Sequence, residues 1–227
     1  WTSAHKPRVG AWQETIFQYE YPKADVITPE QKTYIQNFIG NFENALQSDD
    51  FTDSINGYVA HINVESFVDY FLTNELCKNL DAYRLSTFMY KDKDSNGGKL
   101  NIGPVWDFNI SLGNANYCTG DQSTGWVLAH RDACPDDQWI THFWWYRLME
   151  DINFQKRLKT RWHELRSNQW SDENLIHKID SLVALLDVGA RQRNFSKWNI
   201  LSQYVWPNNI VANSYEGEID YLKNFLN

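Results

Sequence analysis

Apolar side chains recur at helical spacing along most of this chain. A capping box at Thr28 and Gln31, with Pro29 in the first turn, predicts the start of a long helix. Its apolar stripe consists of Ile35, Phe38, Ile39, Phe42 and Leu46. A second helix is predicted after Asn63, with a stripe of Val64, Phe67, Val68, Phe71, Leu72 and Leu76. Both stripes are typical of a helix face that packs in a core.

The C-terminal half continues the helical pattern. The chain is predicted to be helical from Asp136 onward, and Ser171-Asp172 and Asn213-Ser214 are typical starts of further helices. Tyr204–Pro207 is predicted to be a non-helical crossing between them. Near the N-terminus, the segment Arg8–Tyr19 is compatible with a strand.

One β-hairpin is predicted in the middle of the chain. It runs over Leu85–Lys91 and Lys99–Val105, and the turn between them contains Asn96-Gly97, a strong hairpin signal. Asp81 precedes this ribbon and Asp107 follows it, so we expect both carboxylates to fold back toward the same end. Two carboxylates brought close in this way suit a hard metal ion or an acid–base pair.

These elements predict a mainly α (α+β) fold, a helical bundle with a short β-hairpin between two Asp-bearing loops. The 227 residues show no repeat or linker, so we predict a single domain spanning residues 1–227. The longest apolar runs are far shorter than a membrane span. A formal net charge of −8 argues against a nucleic-acid partner. We expect a monomer.

The three cysteines are Cys77, Cys118 and Cys134. Cys77 lies in a helical pattern, where we expect a buried thiol. A bond between Cys118 and Cys134 would close a polar loop and contribute roughly 3 kcal/mol in the chain-entropy model. Spacing alone does not determine the pairing. If the bond forms, it implies an oxidising compartment, which is extracellular, periplasmic or at the cell surface.

Several motifs resemble the CotH family of atypical secreted protein kinases, named for spore coat protein H. The motifs are Asn79-x-Asp81, Gly103-Pro104-Val105-Trp106-Asp107-Phe108, Leu112-Gly113-Asn114, the run Phe143–Arg166, Gln192-Arg193-Asn194-Phe195 and Trp206-Pro207-Asn208. Together they extend through most of the chain, which resembles the versions of the family found in gut Bacteroidetes. Their order, an aspartate loop, a hairpin and a second aspartate turn, is also that of a protein-kinase catalytic lobe.

The resemblance implies a protein-kinase-like C-terminal lobe that uses Mg²⁺ (or Mn²⁺) and ATP to phosphorylate secreted or surface proteins. Asp107 is expected to hold the metal that bridges the phosphates. Asp81 is expected to make a second metal contact or to orient the acceptor hydroxyl. The supporting positions are Asn79 and Asn109 in the metal shell, and Arg84 and Ser86 beside the cofactor. No glycine-rich loop or Val-Ala-Ile-Lys motif is present, so we expect a C-terminal lobe without its N-terminal lobe, inactive by itself.

Two departures from the family pattern favour an alternative. Ser86 stands five residues after Asp81, where CotH proteins usually have asparagine, and Asn109 stands where many have an acidic residue. Asp81 could instead pair with Arg84 in a degenerate member, a pseudokinase that serves as a surface module for protein or glycan binding. Trp126 and Trp139, in or near the long loop, are the candidates for exposed sugar-binding faces. The sequence leaves both alternatives open, and with them whether the chain is an enzyme.

Two further patterns concern metals. The apolar frame Val105-Trp106-Asp107-Phe108 predicts a buried carboxylate, which needs a cation or several donors, although an aspartate that caps a turn would fit the same pattern. Asp92, Asp94 and Asn96 match the first half of a calcium loop, but Gly103 stands where the closing glutamate belongs. A plain polar turn explains the same residues.

Overall fold

Eight α-helices and one antiparallel hairpin form the regular structure of residues 1–226, the part of the chain that the computed structural model describes. The helices are α1 (Pro29–Gln47), α2 (Val64–Cys77), α3 (His130–Ala133), α4 (Phe143–Met149), α5 (Ile152–Arg166), α6 (Asp172–Leu185), α7 (Val188–Lys197) and α8 (Tyr215–Leu226). The strands are β1 (Met89–Lys91) and β2 (Leu100–Ile102). The prediction of a mainly α protein with a short hairpin is confirmed.

The chain divides into two compact units. The first unit consists of Trp1–Phe71, Asp81–Trp106 and Leu128–Arg157. The second unit consists of Leu72–Leu80, Asp107–Val127 and the chain from Leu158 onward. The sequence shows no linker because each unit is assembled from separate stretches of the chain.

The first unit is built around α1 and α4, which pack against each other. Thr28 caps α1 through the predicted box: its hydroxyl accepts from the Gln31 amide, and the Gln31 side chain accepts from the Thr28 amide. The core of this unit is rich in aromatic side chains. Its fully buried members include Phe42, Leu46, Tyr58, Phe67, Phe71, Trp145, Leu148 and Phe154. The predicted stripe of α1 and the part of the α2 stripe up to Phe71 therefore contribute to this core.

The hairpin of the first unit is shorter than predicted. The register pairs are Met89 with Ile102, Tyr90 with Asn101 and Lys91 with Leu100. Left-handed backbone at Ser86, with a φ of 47°, is incompatible with an extended strand there, and β1 begins only at Met89. Beyond β2, the Gly103 amide donates to the Phe88 carbonyl at 2.8 Å, which adds one bond to the ladder. Gly97 and Gly98 both have positive φ and supply the turn.

The N-terminal segment pairs with itself instead of forming a long strand. Thr2 and Ile16 form an isolated antiparallel bridge, and the Trp1 ammonium donates to the Phe17 carbonyl at 2.8 Å. The Phe17 ring stacks on Trp144 of α4 with a centroid distance of 5.7 Å. The Ser3 amide also donates to the Thr15 carbonyl at 2.9 Å, and the Phe17 amide donates to the Trp1 carbonyl at 2.8 Å. Strand-like pairing in the predicted region therefore involves the short stretch around Ile16.

The second unit has a small core and a helical C-terminal part. Leu80, Ile110 and Ala115 are buried together, and Tyr117 packs on them. Helices α6 and α8 contact each other. The backbone of Gly113 has a φ of 81°, and a Cβ there would lie 2.5 Å from the Phe225 ring, so α8 requires glycine at this position.

The remaining elements confirm some expectations and correct others. Cys118 and Cys134 are disulfide-bonded, a pairing that the sequence had left open. Cys77 is a free and partly buried thiol, and burial raises its pKa to about 11. The helix predicted from Asp136 begins only at Phe143, and residues 136–142 form a loop. Helix α7 was not predicted as a separate element. Over residues 1–226, no helix is both long and apolar enough to cross a membrane.

Candidate functional site

Asn79 and the chain around it are anchored at the end of α2. The Asn79 side-chain amide donates to Oδ1 of Asn74 at 2.9 Å, and Asn79 is buried. The preceding Lys78 has left-handed backbone and is also buried. Its ammonium donates to the carbonyls of Thr124 and Gly125 at 2.9 and 3.0 Å, and burial lowers its pKa. The chain that leads from α2 into the Asp81 turn therefore starts from a fixed position.

Asp81 lies in a tight turn that its own backbone closes. The Leu85 amide donates to the Asp81 carbonyl at 2.9 Å. Nη2 of Arg84 donates to Oδ1 of Asp81 at 3.3 Å, so the pairing that the sequence left open as an alternative does form. Tyr83, inside this turn, has a φ of 70° and packs on Trp145 at a centroid distance of 4.6 Å. The core of the first unit thus supports the turn that carries Asp81.

Arg84 also contacts a residue that the sequence did not single out. Nη1 of Arg84 lies 3.2 Å from Oδ2 of Asp137 and donates to the Trp139 carbonyl at 3.1 Å. Nε2 of His130 lies 3.1 Å from the same Asp137 oxygen. The sequence around Asp137 gives no local signal of this role, because Arg84 lies about fifty positions earlier in the chain.

Asp107 is exposed, which corrects the prediction of a buried carboxylate. Its neighbours Val105 and Trp106 are exposed as well, at 49% and 61%. The apolar frame therefore does not enclose Asp107, and burial gives no argument for a cation. Asp107 has a φ of 62°, an uncommon conformation for a residue other than glycine and one that concentrates at functional sites.

The turn after Asp107 is held by short-range hydrogen bonds. The Ser111 hydroxyl donates to the Phe108 carbonyl at 2.5 Å, and the Asn114 side chain donates to the Asn109 carbonyl at 2.7 Å. Asn109 itself is exposed. Asp107 and Asn109 are thus displayed on an ordered turn of the second unit, whereas Asp81 belongs to the first. Ser86, at its left-handed position, is half-buried in the first unit.

The predicted ligands suit magnesium by chemistry. Within residues 1–226, no group of three or more His, Cys, Asp and Glu side chains is arranged to hold a metal. A Mg²⁺ ion does not need such a cage, since it is usually bound by one or two carboxylates together with water and substrate phosphates. Two aspartates with asparagine and serine oxygens are donors of this hard type. Magnesium binding at these residues therefore stays a prediction, and the donor set is chemically compatible with it.

The calcium-like turn is occupied by protein contacts. Oδ1 of Asp94 accepts from the Lys91 ammonium at 2.7 Å and from the Tyr34 hydroxyl at 2.8 Å. The Asn96 side chain donates to Oδ2 of Asp92 at 2.6 Å. These bonds are what a polar hairpin turn makes, and they lower the pKa of Asp94 mainly through Lys91. Calcium binding at this turn stays untested.

The comparison with known protein families shows which family the chain belongs to. A family model described as CotH kinase protein matches residues 4–227. The chain belongs to the CotH kinase family. No curated protein sequence and no solved structure matches it. Because it belongs to this family, the chain is a kinase-like protein. The match also confirms the resemblance carried by Asn79-x-Asp81 and the Trp106-Asp107-Phe108 turn.

His130 is expected to make the folding stability of this CotH kinase family member sensitive to acid. Burial lowers the pKa of His130 from 6.5 to about 4; the charge of Arg84 adds to the shift and Asp137 opposes it. The unfolded chain therefore binds a proton on this ring at a higher pH than the folded chain does. Folding stability should fall as the pH drops from about 6.5 to about 4, by about 3 kcal/mol in total.

Urea unfolding of the wild type and His130→Gln at several pH values checks this expectation. Glutamine keeps an N–H donor for Asp137 but does not titrate, so its stability should decline less over the same range. His177→Gln, at an exposed helix position, is the matched control and should follow the wild type. Parallel acid declines for the wild type and His130→Gln would contradict the assignment.

Proposed function

We propose that this chain takes part in phosphoryl transfer from Mg²⁺-ATP to secreted or cell-surface proteins. The observation that carries the proposal is the match of the CotH kinase family model to residues 4–227. Membership of the family shows a kinase-like protein in general. The nucleotide, the metal and the acceptor proteins are what we propose in addition. The described geometry supports it with one aspartate on an ordered, exposed turn and another held by an arginine.

Each aspartate has a distinct proposed role. Asp107, exposed on its left-handed turn, would hold Mg²⁺, with the Asn109 side chain in support. When bound, the metal neutralises charge on the phosphate oxygens. Asp81 would orient the acceptor hydroxyl and accept its proton, or make a second metal contact, with Asn79 and Ser86 nearby in sequence. Arg84 fixes the Asp81 carboxylate, and positioning of this kind is the main protein contribution to phosphoryl transfer.

The proposed compartment outside the cytoplasm is supported by the disulfide. Cys118 and Cys134 are bonded, and such bonds persist mainly in oxidising environments. The acceptor would then be a protein that shares this compartment. The bond is compatible with the periplasm, the cell surface and the extracellular space alike.

A second candidate function is a pseudokinase that binds a protein or glycan. The Asp81–Arg84 ion pair favours it, because a carboxylate engaged by arginine is less available to a metal. Exposed tryptophans also favour it: Trp126 is 57% exposed, and Trp206, which stacks on Tyr117, is 71% exposed. Aromatic faces of this kind can stack on sugar rings. Trp139, the other predicted candidate, is only half-exposed.

Calorimetric titration of Mg²⁺-ATP and Mn²⁺-ATP into the purified protein tests the first proposal. We expect saturable binding in the wild type. Asp107→Ala should weaken it by about 100-fold, since a metal contact to phosphate is worth several kcal/mol. Asp25→Ala removes another exposed aspartate, from a turn in the N-terminal part of the chain, and should bind like the wild type.

The two candidate functions predict different outcomes. A folded wild type that binds neither nucleotide complex would refute phosphoryl transfer by this protein. Binding to immobilised glycans that is lost in Trp126→Ala or Trp206→Ala would then support the second candidate. Nucleotide binding that survives Asp107→Ala unchanged would leave a kinase-like protein but remove Asp107 from its metal site.

A further inference from the structure

Two stretches of the second unit contain no Asp, Glu, Lys, Arg or His: residues 108–120 and residues 198–214. Asparagine and aromatic side chains are frequent in both. Charged residues make up 22% of the whole chain, so stretches of this length without one stand apart from the rest. An uncharged surface suits an uncharged ligand, because neither partner has to give up the hydration of an ion on binding.

The two stretches contact each other through backbone and side chains. The Asn116 backbone amide donates to the Pro207 carbonyl at 2.9 Å, and the Asn116 side chain donates to the Tyr204 hydroxyl at 2.9 Å. The Tyr117 ring lies within 10° of parallel to the Trp206 ring, at a centroid distance of 6.0 Å. We call Asn116, Tyr117, Tyr204 and Trp206 together the aromatic face.

Two side chains of the aromatic face are largely open to solvent. Trp206 is 71% exposed although it stacks on Tyr117, and Tyr204 is 56% exposed. Because stacking covers part of one side of the indole, most of the remaining Trp206 surface must face solvent to give this value. Contiguous exposed aromatic surface of this kind commonly marks an interaction site in a folded protein.

Hydrogen bonds in the adjoining chain hold the aromatic face in place. The Asn208 amide donates to the Val205 carbonyl at 2.8 Å, which closes a turn around Trp206. The Asn209 side chain donates to the Tyr221 hydroxyl at 3.0 Å, and this hydroxyl donates to the Gly113 carbonyl at 2.9 Å. A surface that is ordered before binding loses little conformational entropy when the ligand arrives.

We propose that the aromatic face binds an uncharged glycan. The C–H side of a sugar ring is apolar and can lie flat on the Trp206 indole. The sugar hydroxyls both donate and accept, so they can bond to the Asn116 amide and the Tyr204 hydroxyl beside it. A protein ligand fits less well, since protein partners commonly use complementary charges and none of these four side chains is charged.

This inference deepens the second candidate function by naming the site and the class of glycan. It does not require a pseudokinase, because the aromatic face shares no residue with the site proposed for phosphoryl transfer. A kinase-like protein could therefore bind its nucleotide at one site and a glycan at the other.

Affinity electrophoresis in native gels tests the proposal. The gels contain soluble neutral polysaccharides with glucose, mannose, xylose or galactose backbones, or the anionic polygalacturonate. We expect at least one neutral polysaccharide to retard the wild type and polygalacturonate to leave it unretarded. Trp206→Ala should weaken the binding by about 30-fold, as truncation of a central tryptophan commonly does at binding sites. Trp206→Phe, which keeps an aromatic face, should recover most of the affinity.

Two further variants locate the binding. Tyr204→Phe removes the hydroxyl that accepts from Asn116 and should weaken binding by about fivefold, the effect of losing one hydrogen bond. Trp12→Ala is the matched control, because it removes a tryptophan that is 66% exposed in the first unit. It should bind like the wild type.

Three results would overturn the proposal. They are retardation by none of the neutral polysaccharides, retardation that Trp206→Ala leaves unchanged, and equal weakening in Trp12→Ala and Trp206→Ala. The last would indicate non-specific adsorption of exposed tryptophans. Binding of Mg²⁺-ATP is measured separately by calorimetry, so failure of the phosphoryl-transfer proposal is distinguishable from failure of this inference.

Discussion

Replacing Trp145 by alanine is expected to lower the free energy of unfolding by about 4 kcal/mol, within the range for buried aromatic truncations. Trp145 is 2% exposed. Its ring contacts Phe67, Tyr70 and Phe71 of α2 at centroid distances of 5.6, 5.8 and 6.0 Å. It also contacts Tyr83 at 4.6 Å. The alanine variant therefore leaves a cavity among four rings that cannot all collapse into it.

The same substitution should reach the Asp81 turn. Tyr83 lies between Asp81 and Arg84, and it is held in left-handed backbone partly by its packing on Trp145 and Phe71. Loss of that support should loosen the turn and weaken nucleotide binding, if the proposed function holds. Chemical denaturation followed by far-ultraviolet circular dichroism measures the stability change without relying on tryptophan fluorescence.

Trp198→Ala provides the control for this prediction. Trp198 follows α7 in the second unit and is 58% exposed, so its loss should change stability by no more than about 0.5 kcal/mol. Comparable destabilisation by the two substitutions would show that the ring cluster around Trp145 does not have the packing role assigned to it.

Replacing Glu43 by alanine is expected to cost about 3 kcal/mol. Glu43 lies within α1 and is 1% exposed. Its Oε1 accepts from Nε2 of His142 at 2.9 Å and from the Trp144 indole at 3.0 Å. The Ser3 hydroxyl donates to the carboxylate at 2.8 Å. Removal of the acceptor would leave these donors buried without a partner, which is the costly way to break a polar network.

Glu43→Gln separates the loss of hydrogen bonds from the loss of charge. The glutamine oxygen can still accept from His142 and Trp144, and its amide can donate to the Ser3 hydroxyl, which is able to accept. We therefore expect glutamine to cost about 1 kcal/mol, well below the alanine variant. Denaturation midpoints of the three proteins check this order. Equal losses in both variants would show that the charge, not the hydrogen bonding, stabilises the site.

The His142 ring links Glu43 to the N-terminal segment. Burial lowers the pKa of His142, and the hydrogen bond to Glu43 opposes this shift. Its Nδ1 lies 2.7 Å from the Thr15 hydroxyl. The structure shows a core role, and no local pattern indicated that Glu43 would be its partner.

Much of the secondary structure was predictable because it is encoded by neighbours in the chain. The capping box at Thr28, the start of α6 after Ser171 and the hairpin turn near Gly97 all depend on residues within a few positions. The first and last residues of the helices were harder to predict from the sequence. Residues 136–142 carry polar and aromatic residues that fit a helical period, yet they form a loop in which Asp137 accepts from the Trp139 amide.

The candidate site was predictable only in its residues, not in their surroundings. The motifs around Asp81 and Asp107 point to the CotH kinase family, whose model matches the chain. The burial predicted for Asp107 was wrong, because an apolar frame in sequence does not become an enclosure when its own side chains face solvent. Asp137 was missed since an ion-pair partner from a distant loop leaves no periodic signal.

The helical character, the position of the hairpin and the family could be predicted from local patterns, because capping, periodicity and motif residues act over short distances along the chain. The partners of Arg84, the donors around Glu43 and the support that Trp145 gives to the Asp81 turn could be identified only in the folded protein. Each of these contacts joins segments far apart in sequence. Their energies depend on burial and on hydrogen-bond distance, and these arise only when the chain is folded.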